Sequence, residues 1–255
     1  MDIFIPEGDG PFPAVILIHG GGFKFGDKKS EYTLAKTLLD RGYVTIAVNY
    51  RLSGEAVFPS AVHDIKAAIR FTKANAKKYF IDPEKIGTWG SSAGGNLSAM
   101  MGTSAGVDFL DGHIGEYDNY STRIQACVNW FGPINFATMI GEARNLGFKE
   151  SFDVSVESKY MGTEASDPAN DSLVQKANPT TYIDQNDPPF FIQAGNKDPL
   201  IPYTQSQNFA NALLKALGPD KVYFELIEGG KHGGSKFTDD KNLEKVIAFL
   251  DKHLK

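Results

Sequence analysis

Short apolar runs rich in β-branched residues alternate with longer stretches of helical periodicity along most of this chain. Apolar runs bounded by Gly, Asp or Pro are typical of buried strands, whereas apolar residues at i, i+3, i+4 and i+7 indicate amphipathic helices. Their alternation predicts a mostly parallel sheet of about seven strands with helices on both faces. The predicted strands cover residues 3–5, 14–19, 44–48, 86–89, 124–130, 190–194 and 222–227.

The segments between these strands carry the helical pattern. In the first of them, Leu34, Ala35, Leu38 and Leu39 repeat at helical spacing, and Gly42 follows as a stop signal. The predicted helices cover residues 32–41, 60–77, 92–103, 206–217 and 242–254.

One stretch, residues 133–188, interrupts the alternation of predicted strands and helices. It contains several Gly, Asp and Asn residues and no convincing strand pattern. An insertion of this length in a compact fold is usually functional. We therefore expect a single domain over residues 1–255 with a cap or lid inserted at 133–188.

Composition narrows the class of protein. With 42% hydrophobic and 22% charged residues, the chain resembles ordinary globular domains. A net charge of −5 without a long Lys/Arg run argues against nucleic acid and membrane partners. The single cysteine, Cys127, lies in an apolar run, so we expect a core residue and no internal disulfide. The first residues lack the pattern of a signal peptide, and we expect a cytoplasmic protein.

The segment Gly90-Ser91-Ser92-Ala93-Gly94 matches G-x-S-x-G with Ser92 at its centre. A predicted strand precedes it and a predicted helix follows it, which is the context of a serine nucleophile on a tight strand-to-helix turn. The alternative is a Gly/Ser turn without chemistry. Ser91 is one residue out of register with the motif.

A glycine cluster follows an earlier predicted strand as His19-Gly20-Gly21-Gly22-Phe23. Attack of a serine on a carbonyl creates an oxyanion that needs preorganised donors, and consecutive glycines let backbone N–H groups turn towards it. We assign the donors to the N–H groups of Gly21, Gly22 and Ala93. The cluster matches neither phosphate-binding glycine pattern, G-x-x-x-x-G-K-[ST] or G-x-G-x-x-G. His19 is expected to brace the loop by hydrogen bonding, with a second catalytic histidine as the alternative.

The general base and its acidic partner are sought in loops at the carboxyl ends of the last two strands, where the active sites of open α/β sheets lie. His232 lies in the glycine-rich loop after the last strand, and Asp198 lies in the loop after the strand before it. Asp198 would orient the imidazole and stabilise its charged form. The alternative is that Asp198 is a turn residue before proline. Asp184 and Asp187 precede their strand, so we expect them at the opposite edge of the sheet.

Together these motifs, with Trp130-Phe131-Gly132-Pro133, Asn49-Tyr50-Arg51-Leu52 and the segment 59–64, resemble the bacterial carboxylesterases of the α/β-hydrolase superfamily. The resemblance is to the hormone-sensitive-lipase-like and feruloyl-esterase-like branches and extends over nearly the whole chain. It implies the α/β-hydrolase fold and hydrolysis of short-chain acyl esters, including acetyl or feruloyl esters of plant polysaccharides. Relatives usually have further N-terminal residues that form one or two antiparallel strands and often part of a cap, so the first of these strands and an N-terminal cap are expected to be missing.

The resulting expectation is a serine esterase that acts on a small-molecule ester through an acyl-enzyme. It uses Ser92, Asp198 and His232 and needs no metal or organic cofactor. An arylformamidase or a peptidase on the same scaffold is the first alternative, although no pair of acidic residues for a peptide amine stands out. A binding protein that has kept the fold is the second. The oligomeric state is open, with a homodimer as one candidate.

Overall fold

The protein is described here by a computed structural model that covers residues 1–148 and 155–255. Its strands are β1 (Asp2–Phe4), β2 (Phe12–Ile18), β3 (Val44–Val48), β4 (Ile81–Ser91), β5 (Ala126–Trp130), β6 (Phe190–Gly195) and β7 (Val222–Ile227).

These strands form one sheet in the order β1-β3-β2-β4-β5-β6-β7. Strand β1 is antiparallel to β3, and all the other pairs are parallel. The predicted sheet of about seven mostly parallel strands is thus confirmed. The strand predicted at residues 3–5 is present as β1, which pairs with β3 from Thr45 to Ala47.

The described residues contain α1 (Tyr32–Leu39), α2 (Ser60–Ala74), α3 (Ala93–Thr103), α4 (Asp108–Asp111), α5 (Phe136–Asn145), α6 (Ser155–Met161), α7 (Asp171–Lys176), α8 (Tyr203–Leu217), α9 (Ser235–Thr238) and α10 (Asp240–Leu254). The five predicted helices are all present, with ends that differ by up to three residues. Strand β4 begins five residues earlier than predicted, because Ile81 pairs with Phe12 across a shift in register.

Alternating side chains of the sheet divide the core into two clusters. Ala14, Ile16 and Ile18 of β2 belong to the cluster that includes buried residues of α2, α3 and α8. Val15 and Leu17 belong to the cluster on the other face, which includes buried residues of α1 and α10. A strand buried on both faces reads as a continuous apolar run, which is why β2 could be recognised in the sequence.

The stretch predicted as an insertion, residues 133–188, holds α5, α6 and α7, and no strand occurs in its described part. Residues 149–154 of this stretch lie outside the described residues. The stretch is anchored at its start by the buried side chain of Gln205 on α8. Its Oε1 accepts from the N–H groups of Ile134 (2.9 Å) and Asn135 (2.7 Å), and its Nε2 donates to Glu142 at 2.7 Å.

Because β2 to β7 run in parallel, their carboxyl ends share one edge of the sheet. The glycine cluster after β2, the serine turn after β4 and the loops after β6 and β7 therefore meet there. Asp187 lies before β6, at the opposite edge, as predicted. None of the described helices has the combination of length and apolar character needed to cross a bilayer.

Two of the helical glycines, Gly94 in α3 and Gly141 in α5, test how tightly α3 is packed on the sheet. A Cβ on Gly94 would lie 2.0 Å from the carbonyl oxygen of Ile18, whereas a Cβ on Gly141 in α5 would meet nothing within 4 Å. We expect Gly94→Ala to lower the free energy of unfolding by about 3 kcal/mol, since backbone cannot give way easily. Gly141→Ala should raise it by about 0.5–1 kcal/mol. Urea unfolding measures both, and equal effects would contradict the packing argument.

Candidate active site

Ser92 occupies the turn between β4 and α3 with φ 54° and ψ −123°. A residue other than glycine rarely adopts a positive φ, and such strain is a property of serine nucleophile turns. The Ser92 N–H donates to the carbonyl of Trp130 at 2.9 Å, which holds the turn against β5. Gly90 is required because a Cβ there would lie 2.0 Å from the carbonyl oxygen of Gly94.

His232 links Ser92 to Asp198. Its Nε2 lies 2.8 Å from the Oγ of Ser92, and its Nδ1 lies 2.7 Å from Oδ2 of Asp198. An ionised carboxylate only accepts hydrogen bonds, so Nδ1 carries the proton and the lone pair of Nε2 faces the serine hydroxyl. The structure therefore brings the three predicted residues together in the order that proton transfer from serine requires.

The second oxygen of Asp198 is held by backbone. Its Oδ1 accepts from the N–H groups of Leu200 at 2.8 Å and Ile201 at 3.0 Å. Asp198 is only 1% exposed, and a buried carboxylate is tolerated only where such partners compensate for lost water. Asp198 is thus a fixed hydrogen-bond acceptor that faces the imidazole. A simple turn residue before proline would not need this set of contacts.

Asn196 connects the loop of Asp198 to the loop of His232. Its side chain donates to Glu228 at 2.5 Å and accepts from the N–H of Gly229 at 2.7 Å. In addition, the N–H of Lys197 donates to the carbonyl of Gly230 at 2.8 Å. These bonds fix the separation of the two loops, and the sequence offered no signal for them.

The ring of Phe131 packs against the imidazole. The two ring centroids are 4.8 Å apart at 64°, and the ring of Phe237 in α9 packs against Phe131 with its centroid at 4.6 Å. This contact restricts rotation of His232 about its side-chain bonds. Phe131 stood in a segment that carried the family resemblance, but its contact with the histidine could not be predicted from its position.

The glycine loop passes directly beside the serine turn, since a Cβ on Gly20 would lie 3.3 Å from Cβ of Ser92. Gly21 and Gly22 have φ values of 117° and 57°, and a Cβ on Gly21 would collide with the carbonyl of Phe25 at 1.9 Å. Ala93 is the first residue of α3. The part of the chain that the structure describes provides no hydrogen-bond acceptor for the N–H groups of Gly21, Gly22 and Ala93. The three predicted donors are therefore available to a ligand.

His19 supports the glycine loop from below. Its Nδ1 donates to the carbonyl of Gly20 at 2.7 Å, and its ring stacks on Tyr50 at 4.4 Å. Tyr50 in turn donates its hydroxyl to the carbonyl of His19 at 3.0 Å. Burial lowers the pKa of His19. This is the bracing role expected of His19, and its Nδ1 is already engaged by backbone.

Two further segments of the family resemblance meet in the structure. Arg51 and Asp64 form an ion pair in which the guanidinium Nε and one terminal nitrogen lie 2.9–3.0 Å from the carboxylate oxygens. The N–H of Arg51 also donates to Asp64 at 2.8 Å. This pair ties the chain after β3, including Tyr50 beneath the glycine loop, to helix α2.

A cavity of about 670 Å³ opens over Ser92 and His232. Much of its wall is apolar, and the side chains in this part include Phe23, Pro133, Val156, Leu200, Ile201 and Phe237. The insertion contributes through Pro133, Val156 and Glu157, and Tyr160 of α6 stacks on Phe23 at 3.9 Å. Residues of the predicted cap therefore form part of the wall beside the glycine loop.

Two pocket carboxylates, Glu31 and Glu157, were missed in the sequence. Burial raises the pKa of Glu31, which receives a hydrogen bond from Ser30 at 3.0 Å. Neither residue belongs to a recognisable motif. The only available signal was the spacing of Ser30, Thr33, Leu34 and Thr37, which places these residues on one face of a helix. In residues 1–148 and 155–255, no group of three or more His, Cys, Asp or Glu side chains is arranged to hold a metal ion.

Comparison with known proteins gives the family. The BD-FAE family model matches residues 1–213. Esterase LipQ of Mycobacterium tuberculosis is 29% identical over 216 residues, which are 84% of this chain and 48% of LipQ. This chain thus spans about half the length of the curated relatives it matches.

Two solved structures are similar over almost the entire chain. A bifunctional GH43-CE protein of Bacteroides eggerthii is 35% identical with a TM-score of 0.87, covering 99% of this chain and 33% of that protein. A truncated carbohydrate esterase from gut microbiota is 31% identical with a TM-score of 0.86, covering 98% and 89%. The expected α/β-hydrolase fold and the resemblance to bacterial esterases of this superfamily are confirmed.

We expect the proton between His232 Nδ1 and Asp198 to give a protected, strongly downfield resonance in proton NMR spectra. Both side chains are poorly accessible, at 18% and 1% exposure, which slows exchange with water. Asp198→Asn should abolish the resonance, because an amide N–H facing Nδ1 would move the imidazole proton to Nε2.

A second histidine–aspartate pair serves as the control for this experiment. His113 Nδ1 lies 3.0 Å from Asp118, but its side chain is 87% exposed. Asp118→Asn should therefore leave the downfield resonance unchanged. A resonance that survives Asp198→Asn, or that disappears in Asp118→Asn, would contradict the assignment.

Proposed function

This chain belongs to the BD-FAE family, and we propose that it is a serine esterase that hydrolyses short-chain carboxylic esters through an acyl-enzyme. The observation that carries this proposal is the continuous hydrogen-bonded series from Ser92 Oγ through His232 to Asp198, with contacts of 2.8 and 2.7 Å. Esterases among the relatives and carbohydrate esterases among the similar structures support the same reaction class.

In the proposed reaction, His232 Nε2 accepts the proton of Ser92 as Oγ attacks the ester carbonyl. Asp198 keeps the imidazole in the required tautomer and stabilises its positive charge. The same imidazole then donates this proton to the departing alcohol, which leaves Ser92 acylated. Water deprotonated by His232 attacks the acyl-enzyme and releases the acid, and the enzyme returns to its starting state.

The tetrahedral oxyanion formed in each step is assigned to the N–H groups of Gly21, Gly22 and Ala93. Preorganised donors of this kind are each worth roughly 2.7–4 kcal/mol of barrier height. The location of Ala93 at the start of α3 adds the positive end of the helix dipole. Their proximity to Ser92 and their lack of acceptors in the described residues support this assignment.

The stretch 133–188 is proposed as a cap that completes the substrate pocket. Contacts of Val156 with Gly22 and of Tyr160 with Phe23 support this role, because they bring α6 against the proposed oxyanion loop. A wall supplied by an insertion can vary between relatives without altering the sheet. The cap would accordingly influence which acyl groups fit.

Esters of plant polysaccharides, with acetyl or feruloyl groups, are the proposed substrate class. The carbohydrate esterase and the GH43-CE protein among the similar structures support it through their names. The cytoplasmic location and the homodimer were both considered from the sequence, and both remain predictions.

A peptidase is the second candidate, and one observation favours it over an arylformamidase. Two carboxylates, Glu31 and Glu157, line the same pocket as Ser92, and acidic residues could pair with the amine of a peptide. Parallel assays with a p-nitrophenyl ester, an aminoacyl p-nitroanilide and an N-formyl arylamine separate the three activities. The proposal requires kcat/KM to be highest for the ester.

Ser92→Ala is expected to lower kcat on p-nitrophenyl acetate by about 10⁴–10⁶, since the nucleophile is removed. A fluorophosphonate probe should label the wild-type protein at Ser92 and fail to label this variant. Ser91→Ala is the matched control and should still be labelled, because Ser91 is out of register with the turn. Near-normal activity of Ser92→Ala, or labelling at Ser91, would refute the proposal.

A further inference from the structure

Helix α1 and the turn before it form a polar wall of the active-site cavity. Thr33, Leu34 and Thr37 lie on one face of α1, and Ser30 and Glu31 lie in the turn that precedes it. The opposite face of the helix carries the buried residues Ala35 and Leu38. We propose that this wall, with Glu31 as its central acceptor, determines specificity by binding hydroxyl groups on the alcohol half of the substrate. The inference rests on the proposed esterase function and assigns the residues that select the substrate.

The carboxylate of Glu31 has unused hydrogen-bonding capacity. Its Oε1 accepts from Ser30 at 3.0 Å, and Oε2 has no partner in the described residues. The residue is partly withdrawn from water, which raises its pKa. A desolvated carboxylate that still faces a cavity favours a donor brought by a ligand.

Hydroxyl groups match the rest of this wall better than a cation does. Serine and threonine side chains both donate and accept hydrogen bonds, as sugar hydroxyls do, whereas an ammonium group only donates. Four such side chains line the same cavity as Glu31, namely Ser30, Thr33, Thr37 and Thr238. No lysine or arginine lines the cavity in the described part of the chain, so anionic groups would find no counter-charge.

An aromatic ring at the cavity rim suits the apolar face of a sugar. Phe25 lines the cavity and is 66% exposed, the highest exposure among the large hydrophobic side chains of the described residues. Its position is fixed relative to the glycine loop, because its N–H donates to the carbonyl of Gly21 at 3.1 Å. A pyranose presents C–H groups on one face and hydroxyls around its edge, so it could contact Phe25 and Glu31 together.

The acyl half has a different environment. Val156 lies against Gly22, next to the proposed oxyanion donors, and Phe23 and Pro133 add further apolar surface. A small acetyl group needs only such surface. The cavity that contains the attacking serine therefore provides both apolar wall for the acyl group and hydrogen-bonding wall for a hydroxylated alcohol.

The test compares two acetate esters that differ only in the hydroxyl groups at C3 and C4 of the sugar ring, methyl 2-O-acetyl-β-D-xylopyranoside and the acetate of trans-2-methoxytetrahydropyran-3-ol with the same configuration. The measured quantity is the ratio of their kcat/KM values, followed by acetate release. Wild type should prefer the xyloside. Glu31→Gln should lower the ratio about 10-fold, as expected for loss of a hydrogen bond to a charged group. Thr37→Val should lower it about 3-fold, and it provides a second test if Glu31→Gln folds poorly.

Glu116→Gln is the matched control, because Glu116 is exposed and lies outside the cavity, and it should leave the ratio unchanged. An unchanged ratio in Glu31→Gln and Thr37→Val would overturn the inference while leaving the esterase function intact. Acetylcholine is assayed in parallel as a cationic acetate ester. A Glu31→Gln variant that loses kcat/KM for acetylcholine alone would also overturn the inference and would indicate a cation site. If wild type releases acetate from neither of the two pyranyl esters nor from p-nitrophenyl acetate, the esterase function is refuted, and the inference with it.

Discussion

The close approach of helix α3 to the sheet is the constraint on which the rest of the site depends. Any side chain at Gly90 or Gly94 would meet backbone at 2.0 Å, so only glycine allows the helix to start where it does. Ser92 is thereby held at a positive φ, a strain of roughly 1–3 kcal/mol. Every residue of α3 is buried, and this packing offsets the strain. The result is a hydroxyl at a helix start, where N–H groups lack partners.

Rigid contacts around the serine then decide what its hydroxyl can do. Two backbone amides hold Asp198, Asp198 orients His232, and Phe131 limits the motion of the imidazole ring. Asn196 joins the two loops that carry these residues. Since proton transfer depends steeply on distance and direction, these supporting contacts help to decide whether the three residues can act together.

The cavity gives this general chemistry its selectivity. The α/β-hydrolase scaffold supports many reactions, so substrate choice has to come from the residues around the serine. Here the wall combines apolar residues from the glycine loop and the insertion with polar residues of α1 and with Glu31, which directly precedes that helix. An acceptor with unused hydrogen-bonding capacity in such a wall discriminates between substrates, because a substrate without the matching donor leaves that capacity unsatisfied.

The sequence by itself determined the alternation of strands and helices, the mostly parallel sheet, and the motifs around Ser92, Asp198 and His232. These features are local: buried strands need continuous apolar runs, and tight turns need glycine, so each leaves a mark within a few residues. The tertiary structure alone decided which segments touch. Ser92 and His232 are 140 positions apart, and the location of Glu31 on the cavity wall depends on how α1 packs beside the sheet. Contacts between distant segments arise from packing of whole elements, and no short pattern encodes them.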